Sequence, residues 1–331
     1  MINVKSVANL PVIEWTESSL LKDKKRAILI TSPSALKMAR PFLKGINIAE
    51  TIFINNSHQD YADSLRLKDK NISVAYLVGA GQVNDIGRYL AHKWHLEVIS
   101  IPTAITADAF LVDCTGLRKN NCVNYVPSKK ADKVILDWQL LKKAPWPINV
   151  SGCGDVLSIF TGLYDWRRAK DNYDPAVAIM AQAILDGLLS QAKTIKRQSQ
   201  KGLETIVNCL AMEVQLCYLY GNSRPEEGGE HFFAYCAENK LCHCLHGEIV
   251  GFGILLTGFL QDQNIVPIKK FMEVTGMNYL LNVIDRKIVI ETLKELPAYV
   301  KKHHLKTSVY NDFDYRKNQA KINRFFKLIN L

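Results

Sequence analysis

The sequence predicts a mostly parallel α/β sheet domain followed by an all-helical domain, and three observations carry that expectation. The first half alternates short, β-branched apolar runs with amphipathic ones. The second half holds long segments of helical period and few strand-like runs. Between them stands the proline-flanked stretch Ala144-Pro145-Trp146-Pro147. Strands alternating with helices build a parallel sheet covered on both faces. We therefore expect an α/β domain over 1–147 and a helical domain over 148–331.

Taken in order, 26–31, 51–55, 74–78 and 98–101 are short and apolar enough for strands, and 34–43 and 83–94 carry helical spacing between them. Residues 122–126 and 133–136 form a further pair of expected strands. Beyond the prolines, the helical segments are 156–168, 175–191, 202–220, 248–261 and 288–302. The polar loop 221–229 is the clearest break among them.

The composition excludes several classes. With 48% hydrophobic and 22% charged residues, the chain is globular in character and can bury a sizeable core. Met1-Ile2-Asn3-Val4-Lys5-Ser6 lacks a continuous apolar signal core, and no apolar stretch approaches the ~20 residues that span a bilayer. A cytoplasmic protein without membrane insertion is expected, its eight cysteines reduced thiols. The net charge of +10 is spread over small clusters with no long basic block, which argues against a nucleic-acid partner. A general positive field instead favours small anionic substrates or cofactors. A homo-oligomer is also expected.

The chemistry concentrates in a few places. Gly79-Ala80-Gly81-Gln82-Val83-Asn84-Asp85 follows the apolar run Val74–Val78 and opens a helical pattern. Glycines at such a junction let the backbone approach a ligand, and a helix's first N–H groups then meet negative charge. The dinucleotide fingerprint would place glycine where Asn84 stands, so the segment alone reads equally as an ordinary turn.

In the second half, Gly152-Cys153-Gly154-Asp155, Gly229-Glu230-His231 and His246-Gly247-Glu248 each put a metal-ligating type at a helix start. One carboxylate and two imidazoles suit zinc, iron or nickel with coordination positions left open. They lie 76 and 15 residues apart, so spacing proves nothing, and a helix cap with two ordinary polar histidines explains them as well. Cys242-His243-Cys244-Leu245-His246 crowds soft ligands, but its alternation lacks the paired spacing of a zinc knuckle. Buried small cysteines are the better account of it.

Together and in order, these motifs resemble the glycerol-1-phosphate dehydrogenase branch of the superfamily that also holds iron-containing alcohol dehydrogenases and 3-dehydroquinate synthases. The match runs through Gly79-Ala80-Gly81 with Asp85, Ile101-Pro102-Thr103-Ala104-Ile105-Thr106-Ala107-Asp108, Gly154-Asp155, Gly229-Glu230-His231 and His246-Gly247-Glu248. The resemblance implies a Rossmann-like first domain that binds NAD or NADP through Gly79, Gly81, Gln82, Asp85, Thr103 and Thr106. It implies a metal-binding helical domain in which Asp155, His231 and His246 hold one divalent cation, with zinc put ahead of iron or nickel. Asp108 is expected to touch substrate and to take part in catalysis with Tyr235. Asp155 is expected to reach the substrate too, and Arg118 and Lys119 to hold its phosphate. The expected reaction is hydride transfer between nicotinamide and a small polyol phosphate or ketone.

Some positions depart from that pattern. Tyr235 stands where the family usually has a second histidine, and Val112 where a cofactor-contacting serine is common. Thr31-Ser32-Pro33-Ser34 offers no carboxylate for a ribose 2′-hydroxyl, so NADP fits as well as NAD. Asp113-Cys114-Thr115-Gly116-Leu117-Arg118-Lys119 with Val123-Asn124 resembles the anion-binding stretch of the sugar-phosphate cyclases, which use NAD transiently. A cyclase, or a nucleotide-binding relative without turnover, therefore stays open at this level.

Overall fold

The computed structural model describes residues 10–17, 21–169, 172–241, 244–279 and 284–331. Cys242 and His243, and the first six residues considered above, lie outside the described residues. The chain divides into two compact units, one ending at Asn149 and the other beginning at Val150.

The first unit is built on β1 (Val12–Trp15), β2 (Asp23–Thr31), α1 (Pro33–Ala39), β3 (Ile46–Phe53), α2 (Gln59–Ser64), β4 (Val74–Gly79), α3 (Gly81–Lys93), β5 (Glu97–Pro102), β6 (Cys114–Lys119), β7 (Cys122–Pro127), β8 (Lys133–Leu136) and α4 (Trp138–Leu141). Six strands form one sheet in the order β1-β8-β5-β4-β2-β3, every neighbouring pair parallel. β4 is buried at all six positions, as a central strand covered on both faces must be. The chain leaves β2 toward one edge and β4 toward the other, so the carboxyl ends of these adjacent strands form the topological switch point. In open α/β sheets that is where ligands bind.

Several boundaries differ from expectation. β2 begins earlier because its first residues, Asp23-Lys24-Lys25-Arg26, are partly or fully exposed and carry no apolar signal. The expected strands at 122–126 and 133–136 belong to different sheets. β8 enters the parallel sheet between β5 and β1, whereas β7 pairs antiparallel with β6, which the sequence reading missed. A signal for that hairpin was present: Asn120 and Asn121 both have positive φ, 54° and 60°, as a two-residue type I′ turn requires.

The second unit is helical among its described residues. After α5 (Trp146–Val150) come α6 (Cys153–Ala169), α7 (Pro175–Ser190), α8 (Ala192–Lys196), α9 (Gln200–Tyr220), α10 (Gly229–Ala237), α11 (His246–Leu260), α12 (Val266–Thr275), α13 (Arg286–Lys302) and α14 (Tyr315–Ile329). α11 is buried on nearly every side and packs against α6, α10 and α14. None of the described helices is long and apolar enough to cross a membrane.

Candidate nucleotide turn and metal centre

The glycine turn sits at the switch point of the sheet. Gly79 ends β4, Ala80 caps α3 in an extended conformation, and Gly81 is the first helical residue. The Pro-Thr segment lies against it: the Thr103 N–H donates to the Gly79 carbonyl at 3.2 Å, and the Gly81 N–H donates to Thr106 Oγ1 at 3.2 Å. Gln82 Nε2 donates to Ser57 Oγ at 3.1 Å. Two widely separated segments therefore meet at one backbone feature.

Other expected residues are placed differently. The Asp85 carboxylate pairs with Arg88 Nη2 at 3.0 Å. Arg88 is fully buried and also donates to the carbonyls of Val112 and Cys114 and to Ser128 Oγ, so it fastens α3 to the β6–β7 hairpin. Asp108 lies near Cys114, and burial together with the Asp108 charge pushes the Cys114 thiol up to about 12. Arg118 and Lys119 are consecutive on β6, and consecutive strand residues face opposite sides. Arg118 Nη1 folds back to the Gly116 carbonyl at 2.7 Å, and Lys119 is exposed within the field of Asp63. Their alternation sends the two side chains to opposite faces of β6.

In the helical unit, Asp155, His231 and His246 come from the first turns of α6, α10 and α11. One ligand atom from each lies within 4.8 Å of the others, and His231 Nε2 is 4.0 Å from Asp155 Oδ1. Asp155 and His231 are buried and His246 is partly so. Backbone proximity makes this convergence possible. A Cβ on Gly247 would lie 2.3 Å from the Ser151 carbonyl oxygen, and one on Gly253 would lie 2.6 Å from that of Glu230. Glycine alone lets α11 come this near to both neighbours.

Glu230, buried completely, orients the site. Its Oε1 accepts the Gly228 N–H at 2.6 Å and lies 2.9 Å from His231 Nδ1, and its Oε2 accepts the Thr161 hydroxyl at 2.6 Å. With Nδ1 protonated toward this carboxylate, His231 turns Nε2 toward Asp155, which is the arrangement metal-ligating histidines adopt. Burial pulls the His231 pKa down, but the Glu230 hydrogen bond and the charges of Glu230, Glu227 and Asp155 outweigh it and raise it to about 9. The groups that hold a proton there favour any cation. Asp165 lies beneath the site, accepting the Gly229 and Val309 N–H groups at 2.8 and 2.9 Å.

Tyr235 is buried, its ring 5.9 Å from that of His231, and its hydroxyl donates to Glu227 Oε1 at 2.7 Å. Ser223 donates to the other Glu227 oxygen at 2.5 Å, and Lys306 Nζ donates to Ser223 at 3.2 Å. Burial disfavours the Glu227 charge, yet His231, Lys306 and these hydrogen bonds hold its carboxyl below the usual range. Sequence reasoning assigned no role to Glu227, Glu230 or Arg88. Only Glu230, adjacent to His231 in the quoted motif, carried any signal.

Glu230→Gln keeps the shape and removes the charge, so zinc affinity should fall about 10- to 100-fold. Competition with a fluorescent chelator measures it; unchanged affinity would remove Glu230 from the site.

A family model for iron-containing alcohol dehydrogenases matches residues 18–145. Glycerol-1-phosphate dehydrogenase (NAD(P)+) of Methanothrix thermoacetophila is 26% identical over 286 residues, covering 82% of this chain and 80% of its own. The enzyme of that name from Pyrococcus horikoshii is 27% identical over 239 residues, covering 69% and 68%. A probable glycerol dehydrogenase from Sinorhizobium meliloti superposes with a TM-score of 0.73 over 97% of both chains at 16% identity. Glycerol dehydrogenase of Schizosaccharomyces pombe gives 0.71 over 97% of this chain and 92% of its own at 15% identity. The chain is thus similar to the iron-containing alcohol dehydrogenases over residues 18–145 and shares the fold of the solved glycerol dehydrogenases. It is also similar to the glycerol-1-phosphate dehydrogenases.

Proposed function

We propose that this protein is a metal-dependent, NAD(P)-linked dehydrogenase acting on glycerol 1-phosphate and dihydroxyacetone phosphate. The observation that carries the reading is the convergence of Asp155, His231 and His246 on one point, in a chain similar to glycerol-1-phosphate dehydrogenases. Those three side chains hold the cation. Zinc suits them best, since an O,N,N set with open positions is a catalytic zinc arrangement. The nucleotide lies over Gly79, Gly81 and Gln82, with Thr103 and Thr106 beside them and Asp85 on the same helix. Ser32 brings no carboxylate to repel a 2′-phosphate, so NADPH and NADH both bind.

When bound, the cation polarises the substrate C–O bond and the nicotinamide carries the hydride. Glu230 keeps the Nδ1 proton on His231 and so aims Nε2 at the cation. Tyr235, whose hydroxyl donates its hydrogen bond to Glu227, keeps lone pairs with which to accept a hydrogen bond from a substrate hydroxyl. Asp108 is the residue that the resemblance assigns to substrate contact. Arg118 and Lys119 act as separate positive charges that attract the phosphate.

The test compares dihydroxyacetone phosphate with dihydroxyacetone at fixed NADPH. Charge-assisted contacts to phosphate predict a preference in kcat/KM of roughly 100-fold or more, with one nicotinamide oxidised per ketone reduced. Equal rates would refute a phosphorylated substrate. Inorganic phosphate released from a sugar phosphate without net nicotinamide oxidation would establish the cyclase reading instead.

A further inference from the structure

Asn84 occupies the position where the dinucleotide fingerprint would have its third glycine, and it is 1% exposed. Its side chain is fully engaged. Nδ2 lies 3.1 Å from the Gly79 carbonyl and 3.1 Å from the Ala80 carbonyl, and Oδ1 lies 2.5 Å from Ser100 Oγ of β5. Backbone carbonyls only accept, so the amide nitrogen must face the turn and the amide oxygen must face the Ser100 hydroxyl. The orientation is set by its partners.

Those two carbonyls belong to the turn proposed to receive the pyrophosphate. A carbonyl oxygen turned outward there would repel phosphate, whereas an N–H turned outward attracts it. Gly79 O accepts from Thr103 N–H and Asn84 Nδ2, and Ala80 O accepts from the N–H groups of Val83 and Asn84 as well as from Nδ2. Among the described residues, Asn84 is the one side chain that bonds both oxygens, beside those backbone donors, and Ser100 locks it in place.

We infer that Asn84, oriented by Ser100, is a positioning residue that presets the Gly79-Ala80-Gly81 backbone for the cofactor pyrophosphate. This rests on the nucleotide site proposed above. A leucine at 84 fills similar volume but makes none of the three hydrogen bonds. It leaves Gly79 O to the Thr103 N–H and Ala80 O to the helix N–H groups alone, so the turn loses the side-chain brace that ties the two carbonyls together.

The experiment titrates NADPH and ADP-ribose, both of which carry the pyrophosphate, into the full-length wild type, Asn84→Leu, Ser100→Ala and the double variant, following binding by calorimetry. Wild-type protein that binds neither ligand would sink the nucleotide site itself, whatever Asn84 does. Given wild-type binding, Asn84→Leu should weaken both ligands roughly tenfold and Ser100→Ala by a few-fold, while zinc uptake is unchanged. The double variant should be no weaker than Asn84→Leu, because Ser100 acts through the amide. A lower melting temperature with unaltered affinities would make Asn84 merely structural and overturn the inference, as would strictly additive losses in the double variant. Should Asn84→Leu fail to fold, Ser100→Ala decides alone: undiminished affinity for both ligands would refute the proposal.

Discussion

His231→Ala and His246→Ala should each purify with far less than one metal per chain and lose at least about three orders of magnitude in ketone reduction. The size follows from the chemistry. Polarising a carbonyl with a divalent cation is worth several kcal/mol of barrier, and each ~1.4 kcal/mol is tenfold in rate. Elemental analysis and turnover with dihydroxyacetone phosphate are to be read together, because an alanine here also empties a buried position and lowers stability. Both variants leave the Gly79–Gly81 turn proposed for the nucleotide unaltered, since it is built entirely from residues of the sheet unit. Near-stoichiometric metal in both would place the cation elsewhere.

The second large effect is on folding. Arg88→Met should destabilise the protein by about 3–5 kcal/mol, read as a lower denaturant midpoint with little change in slope. Removing the guanidinium strips donors from the carbonyls of Val112 and Cys114, from Ser128 Oγ and from the Asp85 carboxylate at once. Arg88→Lys should recover only a minor part, since a compact ammonium cannot span acceptors arranged around a planar fork. A loss below about 1 kcal/mol in Arg88→Met would mean that the hairpin is held by its own pairing and not through α3.

The parallel sheet was legible because its central strands are continuous apolar runs: β4 and β5 begin or end within a residue of where the pattern puts them. Amphipathic spacing located α6, α7, α9 and α13 for the same reason. What escaped detection lacked periodic contrast. α10 was marked only at its start, since every residue of it is buried and no polar face extends the pattern, and β1 is four residues long. α14 is a different kind of miss, for Ile322, Phe325, Phe326 and Ile329 recur at helical spacing and are its buried face.

The site divides in the same way. Asp155, His231 and His246 were nameable because each begins a glycine-marked helix, yet their meeting depends on contacts between residues far apart in the chain. Arg88 gave no sign, as an arginine on an amphipathic helix ordinarily points to solvent. Arg118 and Lys119 were named for their charge; that they occupy neighbouring positions of a strand, with side chains on opposite faces, was not visible in that reading.

Three ligands in three first turns also make any cation they share a cross-link. It closes one loop of 76 residues, from Asp155 to His231, and another of 15, from His231 to His246. Closing loops removes conformations from the unfolded chain, and the longer loop removes more. Unlike a disulfide, such a closure needs no oxidant, and among the described residues no cysteine pair closes a loop instead. A cation held as proposed would fasten the starts of α6, α10 and α11 to one another as well as serve the chemistry.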